Sequence, residues 1–187
     1  MTLKTYIALT ALALLLLPQL ATAQGNLVVN GGFDTSANDW ILTNGAYWPE
    51  YGNSGWAVAL DKEPPSPSTE PTASQIITGL VPGYSYLVSG NYGEGKDRGG
   101  GSPSDPSFGV AIDGIFLFEA VAPDSDNWQS FSFYYTASSS SALLSLSSQI
   151  NGTGVAYFID NISMEAVPEP NSLCLIGVGG ITVQHLN

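Results

Sequence analysis

The chain has 187 residues, 16 of them acidic against four lysines and arginines, for a formal net charge of −12. So few cations cannot neutralise a phosphate backbone, which excludes nucleic acid as a partner, whereas excess carboxylate suits divalent cations. The only cysteine, Cys174, and the only histidine, His185, both lie in the last 14 residues, so the rest of the chain has no disulfide scaffold, no Cys- or His-ligated metal and no histidine-based triad.

The amino terminus, "MTLKTYIALTALALLLLPQLATAQ", puts Lys4 before an apolar stretch from Tyr6 to Leu17, then Pro18, then Ala21 and Ala23 around Thr22. That order is a secretory signal with cleavage expected after Ala23. A retained membrane helix needs about 20 apolar residues, and this core has 12. The expected division is a signal peptide over 1–23, one domain over 24–166 and a tail over 167–187, with the mature protein exported to the cell surface or beyond. Lys62, Lys96 and Arg98 are then the only basic residues left to face the 16 acids.

From Asn26 to Ala166 the apolar residues come in short runs parted by Gly, Pro, Ser, Asn and Asp, which predicts an all-β fold. Trp56, Val58 and Leu60 alternate in "GWAVAL", as do Phe108, Val110 and Ile112 in "SFGVAIDG" and Phe131, Phe133 and Tyr135 in "WQSFSFYYTA". Such alternation marks half-buried strands. "ALLSLSSQI" and "GVAYFIDNISME" are more continuous, as strands covered on both faces are. Asp113-Gly114 in "IDGIF" suits a type I′ hairpin turn. Trp40, Trp56 and Trp128 fall within strand-like runs and are expected to be packing residues. "DKEPPSPSTEPT", with four prolines, and "GEGKDRGGGSPSDP", with five glycines, have loop composition. The second contains no helix to hold a phosphate and is read as a rim rather than a nucleotide loop.

In order, "NLVVNGGFDTSANDW", "ASQIITGLVPGYSYLVSGNY", "FGVAIDGIFLF", "NWQSFSFYYTASSSSALLSLSS" and "GVAYFIDNISMEAV" resemble carbohydrate-binding modules of the family 4/9 type. These belong to the galactose-binding-like jelly-roll β-sandwiches. The resemblance implies a single sandwich in which the first strand lies beside the last, with a structural calcium ion near the paired ends. Its ligands would be Asp34 after "NGGF", a backbone carbonyl near Gly32, Asp160 in "FIDN" and, further, Asp61 at the end of "WAVALD". The chemistry of the residues agrees, since calcium takes six to eight hard oxygens and glycine lets backbone approach closely. Without a metal, Asp34 reads as a turn carboxylate and Asp160 as a strand-end charge. Asp160 lies among Phe158, Ile159 and Ile162, and a carboxylate there needs a partner.

Sugar recognition needs flat aromatic faces together with amides and carboxylates for the hydroxyls. Tyr47, Trp48 and Tyr51 lie among turn residues in "GAYWPEYGNSG", and Tyr92 stands near the glycine-rich loop. With Glu50 and Asn91 they form the expected platform for a polysaccharide or other glycan.

At the carboxy terminus, "VPEP" at Val167–Pro170 precedes the run Ser172–Val183 and resembles a PEP-CTERM sorting tail. That resemblance implies processing by a dedicated export machinery. The tail lacks the family's closing arginines, and its 12-residue run would rise only about 18 Å as a helix against about 30 Å of hydrocarbon. A further strand of the domain fits less well, because Pro168, Pro170 and three glycines interrupt it. Three functions remain open: a non-catalytic glycan-binding domain, a structural matrix protein without a sugar site, and a glycosidase built on a carboxylate pair.

Overall fold

The computed structural model describes residues 25–48, 52–53, 55–61, 70–95, 108–120, 127–148 and 156–168. Ten strands follow in chain order: β1 (Ile41–Thr43), β2 (Ala46–Tyr47), β3 (Val58–Asp61), β4 (Thr72–Thr78), β5 (Ser85–Gly95), β6 (Phe108–Ile112), β7 (Ile115–Ala120), β8 (Gln129–Thr136), β9 (Ser141–Ser148) and β10 (Ala156–Ala166). They make two five-stranded sheets, ordered β1-β4-β9-β6-β7 and β2-β3-β10-β5-β8. Every pairing is antiparallel, and no helix occurs among the described residues. The fold is the all-β sandwich expected from the sequence.

Alternation along the strands builds the core. Val58 and Leu60 of β3, and Tyr157 and Ile159 of β10, meet Ile77 of β4 and Leu144 of β9 across the interior. Each fully buried side chain of this size is worth about 1.5–3 kcal/mol. The predicted inward residues of β6, Phe108, Val110 and Ile112, are all buried. β9 differs from its expectation of two covered faces. Ala142, Leu144 and Leu146 point inward while Leu143 is 40% exposed, because nothing among the described residues covers the outer face of its sheet there.

The opening segment departs more. Residues 26–31 form no strand, with a bend at Val28 and turns from Val29 on, yet they still dock on the last strand. Leu27 N–H donates to Met164 O and Ile162 N–H to Gly31 O, both at 2.9 Å. The Asn26 side-chain oxygen accepts from the amides of Met164 (2.9 Å) and Val28 (3.0 Å). β3 pairs only with Ala156–Ile159 of β10, so the opening segment takes over the same edge beyond it. β10 is therefore central in its sheet rather than at an edge. From the opposite sheet, buried Gln75 of β4 accepts from Val29 N–H at 2.9 Å and donates to Val29 O at 2.8 Å. A buried amide with its donor and acceptor both used is stabilising rather than costly, and this one ties the segment to both layers.

The β6–β7 turn has the predicted type I′ geometry, with Asp113 at φ 51° and Gly114 at φ 79°. Asp113 also accepts from Leu143 N–H through Oδ1 at 2.9 Å, which joins the turn to β9. Positive φ costs a residue with a Cβ about 1 kcal/mol. Gly114→Ala should accordingly lower the melting temperature by about 3 °C, as differential scanning calorimetry would record.

Candidate functional site

β10 and β5 carry a bulge at mid-sheet. Asp160 is opposite Asn91 and Ser163 opposite Ser89, so Asn161 and Ile162 together face Gly90. Asn161 takes a left-handed conformation, φ 54°, one that asparagine tolerates better than most residues. The extra residue turns Ile162 into the core, 1% exposed, and Asn161 out to solvent. A Cβ on Gly90 would come within 2.5 Å of Ile162 Cδ1 and 2.8 Å of Phe131 Cε1, so a larger residue opposite the bulge would force those side chains to shift. Bulges commonly re-aim side chains beside binding sites.

Over this irregularity lies a shallow depression of about 320 Å³, lined by Ser89, Gly90, Asn91, Ser130, Phe131, Ser132 and Asn161. Its polar floor is tightly bonded. Asn161 Nδ2 donates to Asn91 Oδ1 at 3.1 Å, and Asn53 Nδ2 donates to the same oxygen at 3.4 Å. Asn91 Nδ2 in turn donates to Ser130 Oγ at 2.9 Å. Ser89 and Ser163 share a hydroxyl bond of 2.8 Å. No lysine, arginine or histidine stands among the described residues.

An apolar wall adjoins the floor. Phe158 of β10 points away from its core neighbours Tyr157 and Ile159, and it forms a separate cluster with Ala57 and Ala59. Half-buried Trp128 packs on that cluster. Its indole lies over Gly93, where a Cβ would sit 3.5 Å from Trp128 Cδ2. Trp128 packs, as expected, but it does so on the outer face of the sheet. Its place in a strand-like run suggested packing, and the signal for the outer face is the small-residue set Ala57, Ala59 and Gly93, which gives an aromatic ring room to lie on the sheet.

Of the predicted sugar platform, the side chains of Trp48, Asn91 and Tyr92 are among the described residues. Tyr92 is a core residue, 4% exposed. Its ring stacks on Phe108 at 5.0 Å, and its hydroxyl donates to Gln129 Oε1 at 2.8 Å. Burial raises its phenol above the ordinary 10.0, and the ring offers no face to a ligand. The reason is parity: β5 continues to Gly95, so Tyr92 shares the inward face of Tyr86 and Val88. Trp48 is half-buried against the core, donates Nε1–H to Phe33 O at 2.8 Å and stacks on Trp56 at 4.0 Å. Trp56 is half-buried too, whereas Trp40 is buried as expected, 7% exposed. Among the described side chains of the predicted set, only Asn91 lines the depression. Tyr47 belongs to β2 by its backbone; its side chain, with Glu50 and Tyr51, lies outside the described residues.

The predicted metal ligands fall into two groups. Asp160 is fully buried, and its oxygens accept from Asn53 N–H at 2.9 Å and Asn161 N–H at 2.7 Å. It is thus a mid-strand acceptor and not a solvent-facing strand end. Asp34 is exposed. The point where a Cβ on Gly32 would lie is 3.3 Å from Asp34 Oδ2 and 4.0 Å from Asn161 Oδ1, so two hard oxygens flank Gly32. That donor chemistry suits calcium, although no cluster of three or more His, Cys, Asp or Glu occurs among the described residues. Asp61 ends β3, and its side chain is outside them.

No family model matches the chain, and no curated protein does. Solved structures do. A xylan-binding CBM22 domain from Paenibacillus barcinonensis is 19% identical, with a TM-score of 0.56 over 80% of this chain and 100% of that one. A CBM4 structure is 20% identical, with a TM-score of 0.50 over 75% and 99%. A Stig cyclase from Fischerella sp. TAU, in complex with (3Z)-3-(1-methyl-2-pyrrolidinylidene)-3H-indole, is 14% identical, with a TM-score of 0.58 over 80% and 100%. The chain therefore has the β-sandwich fold of carbohydrate-binding modules, a fold that also occurs in an enzyme.

Proposed function

We propose that this protein is an exported, non-catalytic domain that binds a neutral glycan on the outer face of the β2-β3-β10-β5-β8 sheet. The observation that carries the reading is the pairing of a half-buried Trp128 over Gly93 with a floor of serine and asparagine side chains at Asn91, Ser130, Ser132 and Asn161. A sugar ring stacks on an indole through its C–H face while its hydroxyls exchange hydrogen bonds with amides and hydroxyls. The fold shared with carbohydrate-binding modules supports the same reading. So does the engagement of Asp160, which lies opposite Asn91 in the strand register, already accepts from two backbone amides and is a poor candidate for acid–base work.

In affinity electrophoresis through soluble xylan, galactan and an acidic polysaccharide, one of the neutral gels should retard the protein and the acidic gel should not. Trp128→Ala should weaken that retardation about tenfold, while loss of its packing lowers the melting temperature by only about 5 °C. Undiminished retardation of Trp128→Ala would remove this face as the site, and release of reducing sugar would overturn the non-catalytic reading.

A structural calcium ion belongs to the same proposal, held by Asp34 and Asn161 with a carbonyl near Gly32. A ligand that binds only the folded state adds about 2.7 kcal/mol at a hundredfold excess over Kd. Excess calcium should thus raise the melting temperature by several degrees over excess chelator, and Asp34→Ala should abolish the difference. Superimposable wild-type curves would dismiss the ion. Export, and processing of the tail over residues 167–187, complete the proposal on sequence motifs that lie almost wholly outside the described residues.

A further inference from the structure

Asn91 was expected to touch the sugar, but its side chain is already committed. Oδ1 accepts from both Asn161 Nδ2 and Asn53 Nδ2, and Nδ2 donates to Ser130 Oγ at 2.9 Å and, at a longer 3.5 Å, to Gln129 O. A primary amide has two donor hydrogens and one oxygen with two lone pairs, so all four capacities are used inside the protein.

The consequence falls on Ser130, which is exposed on β8 and lines the depression. Its Oγ accepts the Asn91 amide hydrogen. A hydroxyl holding a donor on its oxygen must turn its own hydrogen elsewhere, and here the open direction is the depression. We infer that Asn91 is a positioning residue: it makes no contact with the ligand and fixes Ser130 as an outward hydrogen-bond donor, which meets an oxygen of the bound sugar. This deepens the glycan-binding reading and rests on it for the ligand.

Asn91→Asp separates the two roles. The carboxylate still accepts from Asn53 and Asn161 but has no hydrogen for Ser130. The serine hydroxyl then turns inward to donate to it, and the outward donor is lost with no atom removed from the ligand's side. Asp160 lies opposite position 91 in the strand register, and like charges facing each other destabilise a strand pair. Asn91→Ala is therefore the companion variant, which frees the serine to rotate.

Two measurements on the purified full chain test the inference. Without ligand, the side-chain amide region of a heteronuclear NMR spectrum reads the hub itself. Ser130→Ala should shift the Asn91 pair of resonances and leave those of Asn53 and Asn161 in place; an unmoved Asn91 pair overturns the assignment whether or not any glycan binds. In affinity electrophoresis with soluble xylan and galactan as probes, Ser130→Ala and Asn91→Asp should each weaken retardation about tenfold. The double variant should be no weaker than either, and Asn91→Ala should weaken it a few-fold. Asn91→Asp binding like wild type while Ser130→Ala loses binding would overturn the inference and leave the glycan reading standing. Failure of both polysaccharides to retard the wild type would instead sink the glycan reading, and the NMR result alone would then decide the role of Asn91.

Discussion

Gly31→Ala should lower the melting temperature by about 10 °C, corresponding to about 3 kcal/mol. A Cβ at this position would lie 2.0 Å from Ile162 O and 2.9 Å from its carbonyl carbon. Both are backbone atoms of the central strand, so no side chain can rotate away to make room. The opening segment must lift from β10, and the bond from Ile162 N–H to Gly31 O goes with it. Gly90→Ala is the comparison. The same added methyl there meets side-chain atoms of Ile162 and Phe131 at 2.5–2.9 Å, which can give partway, so its loss should be smaller. Calorimetry on both variants checks the order, and a Gly31→Ala protein melting with the wild type would show that the segment does not dock as described.

Asp160→Ala should cost a similar amount, about 3 kcal/mol, because it strips the acceptor from the amides of Asn53 and Asn161 at once, at 1–3 kcal/mol for each buried donor left unmet. Asp160→Asn keeps the shape and one acceptor oxygen but turns an NH₂ group toward the second amide, so about 2 kcal/mol is expected. Chemical denaturation measures both. The loss should be the same in calcium and in chelator, which separates this residue from Asp34, whose replacement should matter only when calcium is present. A loss confined to calcium-containing buffer would make Asp160 a metal ligand, as the resemblance to carbohydrate-binding modules implies.

The fold was legible because a β-sandwich needs only alternation and turn chemistry, and both are local. "SFGVAIDGIF" carries its inward residues and its Asp113-Gly114 turn in ten letters, and each is where the pattern puts it. The candidate site was less legible, because parity and register decide it. Tyr92 reads as an aromatic beside the glycine-rich loop only while β5 is thought to stop there; three more residues of strand leave it among the core rings. Trp128 packs as expected, but the face on which it packs depends on Ala59 of β3, Gly93 of β5 and Ala57 just before β3. No local signal marks the bulge at Asn161, whose effect depends on its facing Gly90. Asp160 was singled out as an acid in need of a partner, and its partners include two backbone amides, which leave no trace in composition.

Chemical-shift mapping during titration with the neutral oligosaccharide that binds tests the placement of the glycan on the outer face of the β2-β3-β10-β5-β8 sheet. The Trp128 indole N–H and the backbone amides of Ser130, Ser132 and Asn161 should move together and saturate at one concentration, while those of Ile76, Leu143 and Phe116 on the opposite sheet stay fixed. Shifts confined to the opposite sheet, or absent from Trp128 while others saturate, would contradict that placement.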